Sequence, residues 1–203
     1  MDLKKDIFYK ARSYLLDPKK AFEGDTKTDV LGGLKYAVIW LFISAILTSI
    51  IYALFGDLML KIISSWVQQP VIPEIITAGS IIGVFFGTWI GGIIWLLILA
   101  LWLHLWAYIV GARNGLENTL KTVFYGYTPS YILSWIPFIS FIGAIWTLVL
   151  CAFGLNKLQN LTTGRAALAV IIAMILPVML LVILAAAAFI ALGGTAGMAV
   201  MPF

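Results

Sequence analysis

The sequence predicts an all-α, polytopic membrane protein with five transmembrane helices, its N-terminus in the cytoplasm and its C-terminus outside. Three observations point there. Of 203 residues, 63% are hydrophobic and 11% charged, with a mean hydropathy of +1.06, so charge is too scarce to cover a soluble core of this size. The apolar runs have lengths suited to a hydrocarbon layer of about 30 Å, which a helix of roughly 20 residues crosses. The basic residues, finally, gather on one side of the spans so drawn.

Residues 1–32 form a cytoplasmic or interfacial N-terminal segment. Ile7, Phe8, Ala11, Tyr14 and Leu15 share a helical face while Lys4, Lys5 and Arg12 fall largely elsewhere, the pattern of a helix lying on anionic lipid. Asp17 suits an N-cap and Pro18 a first helical position, so the chain restarts as a second helix through Phe22. No apolar stretch with a small-residue cleavage site marks a signal peptide.

The membrane domain is expected over 33–203. A first span, 34–55, is closed by Gly56-Asp57; beyond it "LMLKIISSW" reads as an interfacial helix and "QQPVIPE" as a proline-rich loop. The second span, 81–110, opens on Gly79, Gly83, Gly87 and Gly91 at i+4 spacing. In lipid, such a face lets another helix approach closely, and the seam is expected inside the chain rather than between copies. Residues 117–158 would make about 63 Å of helix, twice a bilayer, so they must turn back. Pro137 is the better corner because it pushes Ile136 out of the α region, leaving spans of 117–136 and 138–158. Pro129 then kinks the first of these and opens a pocket beside Tyr125 and Ser130. Neighbouring helices or Ser and Thr side chains are expected to satisfy the carbonyl it frees. The last span, 166–192, contains Pro177 as a further kink.

Orientation follows from charge. With these spans, 12 of the 13 Lys and Arg residues fall on one side: eight before and at the start of span one, Arg113 and Lys121 at the loop between spans two and three, and Lys157 and Arg165 at the loop between spans four and five. Only Lys61 lies on the other side. The positive-inside rule then places the N-terminus in the cytoplasm.

The chemistry is sparse. No Asp, Glu, Lys or Arg remains near a bilayer centre, which counts against an ion-coupled carrier. His104 is the only histidine and Cys151 the only cysteine, so a metal site lacks partner ligands, a hydrolase lacks its set, and no intramolecular disulfide can form. His104 is expected as a structural histidine. No phosphate loop or dinucleotide fingerprint occurs. The expectation is no enzyme, no cofactor and no metal. Nucleic acid is not expected either, since Asp2, Asp6, Asp17, Glu23, Asp25 and Asp29 intersperse the N-terminal basic residues.

Several positions together resemble the Yip family, five-span proteins named for interacting with Ypt/Rab small GTPases. They are Tyr125 with Pro129 four residues later, Pro137, Gly143, Trp146, the Gly154-Leu155 pair, and Thr163-Gly164-Arg165-Ala166 leading into the last span. His104 followed by Gly111 and Gly115, and Pro18 to Phe22 before the first span, also fit. The resemblance covers roughly residues 15–190 and implies a five-span fold with a cytoplasmic N-terminus. The chain departs from the eukaryotic members in showing "EGDTKTDV" where they carry Asp-Leu-Tyr-Gly-Pro, in a short expected N-terminal segment, and in a Gly126-Tyr127 pair out of register. These departures count against small GTPase binding and favour the short prokaryotic type.

The expected role is a non-enzymatic scaffold or organiser in the cell membrane, binding lipid, further copies of itself or other membrane proteins. The alternative is a passive transport-class protein, a channel, lipid scramblase or permease subunit, with helices kinked at Pro129 and Pro177 lining an uncharged path.

Overall fold

The computed structural model describes residues 3–67 and 77–198. Among these residues all regular structure is helical: α1 (Leu3–Leu16), α2 (Pro18–Gly24), a 3-10 turn (Asp25–Lys27), α3 (Val30–Val67), α4 (Ala78–Phe86), a π turn (Gly87–Gly91), α5 (Gly92–Ile109), α6 (Leu116–Gly126), α7 (Thr128–Leu133), α8 (Ser140–Leu158) and α9 (Thr163–Met198). Four stretches are long and apolar enough to cross a membrane, Val30–Ile62, Ala78–Ile109, Ser140–Leu158 and Thr163–Ala188.

The expected helix start at Pro18 is present, with Asp17 as N-cap accepting from the Lys20 amide. α1 is not simply laid on lipid. Ala11 and Tyr14 are buried in the same apolar cluster as residues of α3, α5, α6 and α8, so about half of its apolar face docks on the chain itself.

Two boundaries differ from expectation. Gly56-Asp57 does not end the first span, and "LMLKIISSW" is no separate interfacial helix, because α3 runs unbroken from Val30 to Val67. A lone glycine costs a helix only about 1 kcal/mol relative to alanine, too little to stop one by itself. The stretch 68–74, read as a proline-rich loop, lies outside the described residues. Pro177 sits inside α9 without interrupting it.

The expected third span is two helices rather than one. α6 ends at Gly126, Tyr127 leaves the helical region at φ −78° and ψ 2°, and Pro129 lies in the first turn of α7. Its 18 residues in two pieces fall short of a continuous crossing helix. The carbonyl freed at the break is satisfied as expected: the Thr128 hydroxyl donates to the Tyr125 carbonyl at 2.6 Å. Pro137 lies in the corner, 134–139, that leads into α8, and Phe138 beyond it adopts φ 66°.

The packing places these elements in height. Gly33 lies against Phe124, Tyr36 bonds Thr128, and Ser44 bonds Ser134 at 3.1 Å, so α3 runs parallel to α6 and α7. The corner therefore stands level with Ser44, while α3 continues a further 23 residues to Val67, about 35 Å at 1.5 Å per residue.

The α6–α7 strand of the hairpin meets α8 where glycine permits. A methyl on Gly154 would fall 2.6 Å from Thr122 Cγ2, one on Gly126 3.0 Å from Cys151 Sγ, and one on Gly143 3.1 Å from Leu133 Cβ. α6 is the innermost element, with Thr119, Thr122, Val123, Phe124 and Tyr125 at most 2% exposed.

Candidate functional site

Where α1, α2 and the turn after it meet α3 and α6, a charged and aromatic cluster is built. Lys10 Nζ donates to Asp25 Oδ1 at 2.8 Å and to the Tyr125 hydroxyl at 3.2 Å, and lies 4.4 Å from the centre of the Tyr125 ring. The Tyr14 hydroxyl donates to the other oxygen of Asp25. Tyr14 stacks on Tyr125 with centroids 5.0 Å apart and planes at 11°, and its edge meets Phe22. Asp25 is buried, so its charge is tolerable only because a cation and a phenol both bond it. Below the ring pair, the Tyr36 hydroxyl donates to Thr128 Oγ1 at 2.8 Å, and the Thr128 hydroxyl in turn donates to the Tyr125 carbonyl.

The cluster shifts the groups that make it. Burial opposes the charge of Lys10, but the Asp25 hydrogen bond, the Asp25 charge and the Tyr125 hydroxyl outweigh it and raise the amine above its usual value. Burial first, then the Asp25 charge, hold the Tyr14 phenol far above the ordinary tyrosine range. Both groups stay protonated at any physiological pH, so the hydrogen bonds they donate to Asp25 persist and the cluster clasps α1 to the turn after α2.

The residues expected to matter divide. Phe22, Tyr125, Pro129, Gly143 and Gly154 come together along the α2–α6–α7–α8 seam, Phe22 lying 3.1 Å from the position a Gly154 methyl would take, and Pro18 opens the helix that delivers Phe22. Pro137 is at the far corner of the same hairpin. The expected pocket beside Tyr125 and Ser130 is not formed by those two side chains, since Tyr125 lies under Tyr14 and Ser130 bonds Thr147 at 2.8 Å. Trp146 is over a third exposed on the outer face of α8. Arg165 is exposed at the start of α9, and Gly111, at φ +113°, makes room for its guanidinium at 3.3 Å from a notional methyl.

His104 stands apart, as a satisfied histidine: its Nδ1 pairs with Thr119 Oγ1 at 2.8 Å, and Gln159 Nε2 donates to the same Thr119 at 2.9 Å. Gln159 also donates to the Gly115 carbonyl and accepts from the Asn114 amide, tying together the loops at that end.

The glycine seam expected inside the chain is corrected. Gly83, Gly87 and Gly91 face open space, and Gly79 meets only the nearby Thr77 hydroxyl. The side of this helix that meets α3 carries Phe85 and Trp89, both edge-on to Phe42, and the Trp89 indole donates to the Val38 carbonyl. Bulky rings occupy the contact and turn the glycines outward. The glycine that does pack here is Gly92, against Leu41.

Sequence reasoning missed Lys10, Tyr14, Asp25 and Tyr36 as a unit. It also took Lys121 for a loop cation, whereas its amine is buried on the carbonyls of Thr26 and Thr28. Among the described residues, no three His, Cys, Asp or Glu side chains converge so as to hold a metal.

Four long apolar helices around a buried, broken central helix define a polytopic, membrane-embedded α-helical protein. The Yip1 domain family model matches residues 12–201, and the chain belongs to that family. Neither curated proteins nor solved structures gave a match.

Proposed function

We propose that this Yip1-domain protein is a non-enzymatic scaffold of the cell membrane, with five crossings and a cytoplasmic N-terminus, that organises lipid and other membrane proteins. The observation that carries it is the close packing of α6 against α8. A solute path through the bundle would have to run along α6, whose side chains from Thr119 to Tyr125 are almost all buried and whose contacts with α8 leave no room for a methyl at Gly154 or Gly126. The Lys10–Asp25 cluster is a clasp that pins α1 and α2 to the bundle, an architectural task.

Crosslinking in native membranes tests this, paired with ion, solute and lipid-scrambling assays on proteoliposomes. A scaffold yields discrete crosslinked protein partners and no flux above empty vesicles. Flux that depends on the protein, without captured partners, would overturn it in favour of passive transport.

A further inference from the structure

A well-formed groove lies outside the clasp, between the opposite side of α1, the middle of α3 and the end of α7. It has a volume of about 500 Å³, the size of a ligand pocket rather than a packing fault. Its walls are almost wholly apolar: Leu15 from α1, Trp40 and Leu47 from α3, Ile132 from α7 and Trp135 from the corner. The one charged residue in the lining is Arg12. Among the described residues the guanidinium of Arg12 makes no ion pair or hydrogen bond, unlike Lys10 two residues earlier, which is held by Asp25.

We propose that this groove binds one anionic phospholipid of the surrounding bilayer, with its phosphate on Arg12 and an acyl chain along Trp40 and Leu47. An exposed cation that finds no carboxylate at the rim of an apolar groove is complementary to a molecule that is anionic at one end and hydrocarbon beyond it. Trp40 suits the level where headgroup meets chain. The groove is also continuous with lipid, since Phe8 and Leu16 beside it are 59% and 71% exposed, so a chain can enter sideways without leaving the membrane. A soluble phosphate compound would use Arg12 alone and leave the apolar walls uncovered.

The proposal rests on the scaffold reading only for placing α1 in the membrane interface, and its readout is lipid retention by the purified full chain, independent of any crosslinked partner. The protein is exchanged into nanodiscs of mixed phosphatidylglycerol and phosphatidylcholine, released, and examined by native mass spectrometry. The wild type is expected to retain one phosphatidylglycerol per chain. Arg12→Gln, a surface change that leaves folding intact, should lower the preference for phosphatidylglycerol about fivefold. Leu47→Trp, which fills the groove, should lower retention of both lipids, and a cooperative melt confirms that it is folded. Equal phosphatidylglycerol retention by wild type and Arg12→Gln overturns the proposal. So does displacement of the lipid by glycerol phosphate, or a lipid-free dimer whose interface covers the groove.

Discussion

A methyl group is the smallest probe of the hairpin seam, and two glycines sit at opposite extremes. At Gly154 an added Cβ would meet Thr122 at 2.6 Å and Phe22 at 3.1 Å; neither neighbour is a flexible side-chain end, so Gly154→Ala should cost about 1–3 kcal/mol. At Gly87 it would meet nothing, and Gly87→Ala should be neutral or stabilising by up to about 1 kcal/mol through lower backbone entropy in the unfolded chain. Thermal unfolding in detergent distinguishes them, and the opposite ranking would return the seam to the glycine stripe. The clasp gives a second residue-scale expectation. Asp25→Ala strands a lysine and a phenol, but Lys10 is about a third exposed and water screens part of the loss, so about 2–3 kcal/mol is expected. The folded pKa of Lys10 is raised from 10.5 and that of Tyr14 from 10.0. Their stabilisation is therefore complete below pH 10 and lost as pH rises through the folded values. The melting temperature should be flat from pH 7 to 9 and fall above about pH 10.5, and the alkaline fall should be shallower in Lys10→Met. Family positions such as Tyr125, Gly143 and Gly154 could be picked out of the sequence because they resembled a known pattern. Lys10, Asp25 and Tyr125 could not be joined, since the partners are 15 and 115 residues apart and nothing in a sequence couples them. The glycine stripe misled because spacing says that a face is smooth and not which way it points.

At the scale of elements, the break between α6 and α7 depends on one hydroxyl more than on the proline ring. Thr128 donates to the Tyr125 carbonyl and accepts from Tyr36, and all three are buried. Thr128→Val keeps the shape but leaves a carbonyl and a phenol without partners, so it should cost about 1–3 kcal/mol, while Thr128→Ser should retain most of the stability. Equal melting of the two variants would show that the hydroxyl is dispensable. Both prolines were readable as departures from helix, and the corner at Pro137 stands where expected. The break at Tyr127 was read one turn too gently, as a kink, because a proline in a helix predicts disturbance without saying whether the tertiary neighbours will hold the two pieces apart. Here the tyrosine and threonine of α3 and α7 do so. The length of α3 escaped notice for the converse reason: Gly56 and Asp57 are weak breakers, and an apolar environment favours continued intrahelical bonding.

For the whole molecule, the open quantity is the number of crossings, and the corner decides it. Phe138 is 88% exposed at the tip of the hairpin, so a single cysteine there, in a Cys151→Ser background, reports where the tip lies. Five crossings predict labelling of Phe138→Cys by a membrane-impermeant reagent from outside only, and of Arg165→Cys from the cytoplasm only. A tip labelled from neither face would mean that the hairpin stops within the bilayer. The class of the fold was plain from composition and order along the chain. Relative height was not, because it depends on which residue of α3 meets which residue of α7.

That height difference has a mechanical consequence. At the level of Tyr125 a horizontal section cuts α3, α5, α6, α8 and α9, with α1 and α2 packed alongside; past the corner level with Ser44, only the α3, α4 and α9 arms extend. Among the described residues the cross-section is therefore broader at the level of Tyr125 than past the corner, and a body of that taper, set in a flat sheet, would displace more lipid area from the leaflet at its broad end than from the other.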